Sequence, residues 1–170
     1  MKKFPLKKQN LPQKYVPIIK ELLLGERNDK TAERGKILLK KMQSKNIITV
    51  FFDGKCGLCS KEINYYRKIS PDGIFIWQDI TKSADDLKAN GISLSQGLKF
   101  LHTKYVDGKF YVGVDAFILI WKQLKRWRLL AIFASLPIIK QIINFAYKIF
   151  ANWRFKRLKH CQLAEKQDSL

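Results

Sequence analysis

Apolar residues follow two different spacings along this chain, and each spacing predicts a type of element. Residues 47–52 (IITVFF) form a short continuous apolar run rich in β-branched and aromatic side chains, which is typical of a buried strand. The next segment, about 58–70, has helical spacing, and a second apolar run over 74–78 predicts another strand. A polar helical turn is predicted near 84–90. The pattern thus predicts a strand, a helix, a strand and a short helix.

A hairpin is predicted after these elements. Its strands cover about 98–105 and 109–112, and the turn between them contains Asp107-Gly108. An Asp-Gly pair supplies the positive φ angles that a tight hairpin turn requires. The pattern then becomes helical: Asp115 is the predicted N-cap of a helix over 116–125. A further helical region from residue 129 is broken or restarted at Pro137.

The element order predicts the fold class and the domain organisation. Strand, crossover helix, parallel strand, antiparallel hairpin and closing helix form a small mixed sheet covered by helices, which is the order of the thioredoxin fold. We therefore expect an α/β domain over residues 46–161. Before it, two helical pieces (about 15–24 and 29–45) predict a basic helical extension over residues 1–45. Helical segments extend the domain at its C-terminal side, and residues 162–170 are predicted to be a flexible tail.

The formal charge of +19 is unevenly distributed along the chain, and this distribution bears on possible binding partners. Residues 1–45 carry 13 basic and 4 acidic side chains (+9), residues 46–119 carry 9 and 8 (+1), and residues 120–170 carry 11 and 2 (+9). Segments 121–128 and 153–159 interleave tryptophan with lysine and arginine. Three interpretations stay open: the aromatics pack inward while the cations are solvated, the segments bind an anionic membrane surface, or, less favoured, they bind nucleic acid. The oligomeric state stays open.

Cysteine content and apolar runs bear on the compartment. Three cysteines, an odd number, do not indicate the disulfide framework of a small secreted domain. No apolar stretch of about seven or more residues follows the basic start, as a secretory signal would require. The most apolar region, 129–150, is interrupted by Pro137, Lys140, Gln141 and Lys148, so no membrane span is expected. We expect a cytoplasmic protein, either free or peripheral at a membrane.

The candidate chemistry is Cys56-Gly57-Leu58-Cys59, which follows the first strand and opens the first helix. Unpaired N–H groups at a helix start favour a thiolate over a thiol. Cys56, beside Lys55, should therefore be the nucleophile that attacks a disulfide, and Cys59 the thiol that resolves the mixed disulfide. Two alternatives stay open. Both cysteines could be small buried apolar groups, or they could be half of a zinc site completed by His160 and Cys161 or by His102.

The segment 52–59 (FDGKCGLC), with a strand before it and a helix after it, resembles the signature of the DCC family, thioredoxin-fold proteins named for an aspartate and two cysteines. Asp53, Cys56 and Cys59 match those three residues. The resemblance extends more weakly through the hairpin, 113–116 and 152–155, and covers about 46–161. It implies a thiol-disulfide oxidoreductase that acts on a protein or small-molecule disulfide or thiol. No cofactor and no metal are expected.

Three further questions stay open on the sequence. Asp53 could relay a proton to or from Cys59, or it could accept backbone N–H bonds and shape the loop. Cys161 is either a third redox thiol or incidental. His102, on a predicted strand, is expected to be a satisfied or half-exposed strand residue. The rival class to an enzyme is a basic binding module, on a membrane surface or nucleic acid, in which the dithiol is incidental or regulatory.

Overall fold

The computed structural model describes residues 47–168, which lie in one compact unit. The predicted basic extension over 1–45, with its two helical pieces, lies outside the described residues.

A mixed four-stranded sheet forms the centre of this unit, as predicted. Its strands are β1 (Ile48–Phe52), β2 (Phe75–Asp79), β3 (His102–Tyr105) and β4 (Phe110–Val112). The strand order is β2-β1-β3-β4, with β1 parallel to β2 and antiparallel to β3, and with β3 antiparallel to β4. This arrangement confirms the predicted α/β class and is consistent with a thioredoxin-like fold.

Helices cover the sheet. They are α1 (Gly57–Ile69), α2 (Asp85–Lys88), α3 (Leu94–Lys99), α4 (Val114–Gln123), α5 (Arg128–Ser135), α6 (Pro137–Arg157) and α7 (Lys159–Asp168), with a 3-10 turn at Lys125–Trp127. The break predicted at Pro137 is confirmed, and this proline occupies the first turn of α6, where its missing N–H costs nothing.

Strand β1 is buried on both faces, and the alternation of its side chains separates two apolar clusters. Val50 on one face packs with α1 and α4, and Phe51 on the other packs with α3, the end of α6 and α7. The first cluster contains Ile48, Val50, Phe52, Ile63, Tyr66, Ile120 and Leu124. The second contains Phe51, Ile80, Leu87, Leu98, Phe155, Cys161 and Ala164. A sheet with helices on both sides therefore places the end of β1 in the middle of the molecule.

The structure differs from the prediction over 98–101, which is not strand. Residues Leu94–Lys99 are helical because Ser93 and Gln96 form a capping box: the Ser93 hydroxyl accepts from the Gln96 backbone N–H, and the Gln96 side chain accepts from the Ser93 N–H. This local hydrogen bonding outweighs the strand propensity of the residues that follow. The hairpin strand therefore begins only at His102.

Asp115 is not the N-cap of α4. The helix begins two residues earlier than predicted because Gly113, with φ of +61°, occupies the cap position in a conformation that favours glycine. Asp115 lies in the first turn, and its carboxylate pairs with Lys140 of α6 at 2.6 Å.

The structure differs from the predicted tail as well. The chain is helical as far as Asp168, and Cys161 and Ala164 are buried against the second cluster. The apolar residues of 159–168 are too widely spaced for a strong helical pattern. Tertiary packing of Cys161 and Ala164 therefore stabilises this helix.

Within residues 47–168, no single helix has the length and apolar content needed to cross a membrane.

Candidate active site

The loop between β1 and α1 is held by two carboxylates at the ends of neighbouring parallel strands. Asp53 follows β1, and its Oδ1 accepts from the backbone N–H groups of Lys55 and Cys56 at 3.0 and 3.1 Å. Asp79 ends β2, and its Oδ1 accepts from the Gly54 N–H at 3.1 Å. An aspartate that bonds the backbone two or three residues ahead fixes a tight turn. This turn presents Cys56 at the start of α1.

Glycine at position 54 is a steric requirement. A Cβ at this position would lie 2.0 Å from Asp79 Oδ2, so the loop and the Asp79 carboxylate could not keep their places. Gly57 differs, since no heavy atom lies within 4 Å of a Cβ built there. The approach to the first turn of α1 is therefore open beside Cys56.

Cys56 is the N-cap of α1, and its Sγ accepts from the Cys59 backbone N–H at 3.3 Å. Hydrogen bonding from the Cys59 side chain, opposed by burial and aided by the Cys59 backbone N–H and by Arg154, lowers the pKa of Cys56 to about 5. This is the thiolate position that the sequence predicted. Its side chain is only 2% exposed, whereas Cys59 is half-buried.

Cys59 lines a small pocket between α1, α3 and α6, together with Glu62, Phe150 and Arg154. The hydrogen bond to Cys56 is the largest cause that raises the pKa of Cys59, followed by burial, while the Arg154 charge opposes both. The pair therefore shares one proton, which stays on Cys59 while Cys56 is a thiolate.

Arg154 of α6 is the cation of this site, and it is 8% exposed. Its Nη1 lies 3.5 Å from Cys59 Sγ and 3.4 Å from Asp53 Oδ2, and its Nη2 donates to the carbonyl oxygens of Leu98 and Lys99. Burial alone would lower the pKa of Arg154, but the two thiols and Asp53 outweigh that cost and raise it. A buried guanidinium with these partners keeps its charge beside the Cys59 sulfur.

The Asp53 carboxylate, 4% exposed, is also contacted from α7. His160 Nε2 lies 2.9 Å from Asp53 Oδ2, and the Cys161 thiol lies 3.8 Å from the same oxygen. With the loop N–H groups and Arg154, these partners use both carboxylate oxygens. Burial, and then the Asp53 charge, raise the pKa of Cys161 to about 12, so this thiol stays protonated near neutral pH.

A second carboxyl group, that of Glu62, also lines the pocket. Glu62 is three residues beyond Cys59 on α1, a spacing that places two side chains on one helix face. Its Oε1 accepts from the Tyr66 hydroxyl at 2.8 Å, and the Tyr66 oxygen accepts from Trp121 Nε1 at 2.9 Å. Burial raises the pKa of Glu62. A carboxyl whose pKa is raised and that lines the same pocket as a thiol is suited to accept a proton from it.

Within residues 47–168, Asp53, His160 and Cys161 form a cluster whose chemistry could hold a metal ion, since their ligand atoms lie within 4.8 Å of one another. Of the zinc ligands considered on the sequence, His160 and Cys161 thus group with Asp53 and not with the dithiol. The cluster fits a cation poorly because Arg154 already contributes a positive charge to Asp53. His102 is buried on β3, and its Nδ1 contacts the Phe100 carbonyl at 2.9 Å, as expected for a satisfied strand residue.

The structure brings the three predicted site residues, Asp53, Cys56 and Cys59, together at one loop. Sequence patterns gave no role in redox chemistry to Arg154, His160 or Glu62. The Cys59-to-Glu62 spacing on one helix was a usable signal for Glu62. For Arg154 the sequence offered only the weak resemblance over 152–155, which gave it no role, and the residue is 101 positions from its partner Asp53.

Comparisons with known proteins agree with this geometry. The model of the DCC1-like thiol-disulfide oxidoreductase family matches residues 50–160. An uncharacterized Bacillus subtilis (strain 168) protein, YuxK, is 27% identical over 110 residues, which are 63% of this chain and 77% of YuxK. No solved structure matches the chain.

Proposed function

The chain belongs to the DCC1-like thiol-disulfide oxidoreductase family, and from that premise we propose that Cys56 and Cys59 exchange thiols and disulfides with a substrate, Cys56 as nucleophile and Cys59 as resolving thiol. The observation that carries the proposal is the N-cap position of Cys56, where hydrogen bonding lowers its pKa to about 5.

In the first step the Cys56 thiolate attacks one sulfur of the substrate disulfide. A new S–S bond forms as the old one breaks, and the leaving sulfur departs as a thiolate that takes a proton from solvent. Near pH 7 a thiol with a pKa of about 5 is largely deprotonated, so no base is needed for this step. The product is a mixed disulfide on Cys56.

In the second step Cys59 attacks the Cys56 sulfur, and the substrate leaves as its second thiol. The mixed disulfide has no negative charge on Cys56, so the largest cause that raises the pKa of Cys59 is gone. Arg154 then stabilises the Cys59 thiolate as it forms, and we assign Glu62 the role of proton acceptor. The protein ends with a Cys56–Cys59 disulfide, oxidised by two electrons. The same steps in reverse oxidise a dithiol.

Asp53 is the positioning residue in this proposal. Its contacts with two loop N–H groups hold Cys56 at the helix start, and its contact with Arg154 fixes the cation beside Cys59. The loop N–H groups, Arg154 and His160 engage both oxygens of Asp53, so we assign the proton relay that the sequence suggested for Asp53 to Glu62 instead. The odd number of cysteines fits the reducing, cytoplasmic setting we propose.

Access to the two sulfurs makes the proposal testable. The better nucleophile, Cys56, is less exposed than Cys59, so a substrate must approach over Gly57, where space is open. Full-length protein is equilibrated in a graded redox buffer, trapped with a small alkylating reagent and analysed by mass spectrometry. We expect a reversible two-electron transition confined to Cys56 and Cys59, with Cys56 alkylated first in the reduced form.

Single substitutions of Cys56 and Cys59 test which thiol is the nucleophile and which resolves the mixed disulfide. Cys56→Ser should abolish disulfide reduction, whereas Cys59→Ser should trap a mixed disulfide on Cys56. Full reductase activity in Cys56→Ser, or faster alkylation of Cys59 than of Cys56 at pH 6, would contradict the assignment.

A further inference from the structure

A stripe of exposed apolar side chains runs along α6. Ile138, Ile142, Phe145, Ile149 and Trp153 recur every three or four residues and therefore share one helix face. Each of them is between 51 and 75% exposed. The opposite face of the same helix is used in the fold, since it carries Arg154 and the buried Phe155. The exposed face is therefore additional to the core.

Helix α5 continues this stripe. Leu129, Ile132, Phe133 and Leu136 are 46 to 70% exposed, while Ala131 and Ala134 on the other side pack against α4. We call the nine exposed residues the apolar stripe; they are Leu129, Ile132, Phe133, Leu136, Ile138, Ile142, Phe145, Ile149 and Trp153. Soluble monomers rarely expose a contiguous apolar patch of this extent unless it binds something.

The charge around the stripe has one sign. Residues 116–164 contain ten lysines and arginines and no aspartate or glutamate. Exposed cations lie at both ends of the stripe, with Arg126 just before α5, Arg128 at its start, and Lys156 and Arg157 at the end of α6. The Arg157 guanidinium lies 4.6 Å from the Trp153 ring centroid, so this tryptophan is flanked by positive charge. Whatever covers the stripe is apolar at its centre and anionic around it.

We propose that the apolar stripe and its flanking cations dock this protein on the surface of an anionic lipid bilayer. Apolar side chains that enter the acyl boundary beside cations that meet anionic headgroups are the two components of interfacial binding. A second copy of the chain is less suited, because a symmetric contact would place like charges together. Residues 1–45, with a net +9, carry the same sign as well.

The shape of the two helices fits a position on the surface. Lys125–Ser135 and Pro137–Arg157 together have the apolar content of a membrane span, but they are bent by 99° at the break. Helices bent in this way can both lie along an interface. Phe150, which lines the pocket of Cys59, is on α6 beside the stripe, so docking would hold the dithiol at a fixed height above the lipid.

Flotation of the full-length protein with vesicles tests the proposal. The probes are vesicles of phosphatidylcholine alone and vesicles of phosphatidylcholine with phosphatidylglycerol, each at low and high salt. We expect binding to the anionic vesicles, weakened by salt, and about tenfold or more weaker binding to the neutral ones. Equal binding to both compositions would overturn the proposal, as would retention of the protein in the membrane after alkaline extraction.

Variants assign the binding to this face. Ile142→Asn with Phe145→Asn should weaken vesicle binding about tenfold or more, because two large apolar side chains no longer enter the bilayer. The matched control, Val106→Asn with Leu163→Asn, also removes two exposed apolar side chains, but outside the stripe, and should bind as the parent does. Arg126→Gln and Arg128→Gln should each weaken binding about fivefold at low salt, with Lys109→Gln as the control.

The remaining outcomes are decisive. If Ile142→Asn with Phe145→Asn binds vesicles as the parent does, residues outside the stripe bind the lipid and the proposal fails. If those substitutions abolish a dimer seen in solution while the parent ignores vesicles, the occupant is a second copy. Salt-sensitive DNA binding without vesicle binding makes nucleic acid the partner. Cys56→Ser with Cys59→Ser should bind vesicles as the parent does, so this result and the redox result are independent.

Discussion

Arg154 serves both steps of the proposed mechanism, because one guanidinium contacts the Cys59 sulfur and the Asp53 carboxylate that shapes the loop. A cation there favours negative charge on either sulfur of the pair. At rest that charge is on Cys56, at the helix start, and after attack it forms on Cys59. The same residue can therefore serve both steps without moving.

The pKa of Cys56 should depend on the side chain at position 59. The Cys59 side chain is the largest cause that lowers it, so Cys59→Ala should raise the pKa of Cys56 from about 5 by about one unit or more. Cys59→Ser keeps a hydrogen-bond donor and should restore part of the effect. Thiolate absorbance and the rate of alkylation against pH measure both variants. An unchanged pKa in Cys59→Ala would show that the helix N-terminus alone sets it.

Removing the Arg154 charge should slow the attack of Cys59 on the mixed disulfide more than the attack of Cys56 on the substrate. Arg154→Met should lower the rate at which Cys59 clears a mixed disulfide about tenfold to a hundredfold, since the forming thiolate loses its partner. Arg154→Lys keeps the charge but not the contacts with both Asp53 and Cys59, so its rate of resolution should lie between those of the parent and Arg154→Met. Rapid quenching and mass spectrometry of the mixed disulfide give the rate, and circular dichroism confirms that each variant is folded. Equal rates in Met and Lys variants would contradict a charge effect.

Glu62 is testable through the pH profile of the same step. Glu62→Gln removes the proton acceptor and should slow resolution below about pH 8, with a smaller difference at higher pH, where solvent base replaces it. The matched comparison is Asp53→Asn, which should instead disturb the loop and raise the pKa of Cys56 through a displaced helix start. A pH profile for Glu62→Gln parallel to that of the parent would remove its assigned role.

At the scale of elements, the parts predicted from sequence are those with strong local signals. The run 47–52, the dithiol at a helix start and the break at Pro137 each combine a clear spacing with a marker residue, and each is confirmed. Segment 98–101 and α7 were not predicted because a capping box and tertiary packing decide them. Both of these elements help to enclose the site.

The loop before α1 gives a prediction about backbone space. Gly54→Ala should destabilise the protein by about 1–3 kcal/mol, because the new Cβ would overlap the Asp79 carboxylate. Gly57→Ala, where nothing lies within 4 Å, should leave stability within about 1 kcal/mol of the parent. Chemical denaturation of the reduced proteins measures both. Equal stability of the two variants would mean that the carboxylate moves aside at little cost.

At the scale of the molecule, the site joins residues that lie about a hundred positions apart. Arg154 and His160 reach Asp53 only because α6 and α7 fold back over the sheet. Local spacing carries no information about such contacts, so the sequence could predict the dithiol but not the cation that serves it. The charge pattern, by contrast, could be predicted from the sequence, because it needs no long-range contact. The basic C-terminal third is evident in the sequence, and the structure shows the apolar stripe that it borders.

The stability of the whole molecule should depend on pH through Cys56. Its pKa is about 5 when folded and near the ordinary value of 9.0 when unfolded, so the folded state binds fewer protons between these limits. Stability from this group is then complete above about pH 9 and is lost as the pH falls toward 5. The slope is at most about 1.4 kcal/mol per pH unit, since the folded and unfolded states differ by at most one proton at this group. Cys56→Ser removes this contribution, and titrating groups outside the dithiol cancel in the difference between parent and variant. Denaturation of both reduced proteins at intervals from pH 5 to 9 should give a difference that grows with pH, and the oxidised parent, which has no thiolate, should behave like the variant. A difference that is constant across this range would show that Cys56 is not a thiolate in the folded protein, and attack would then require a base.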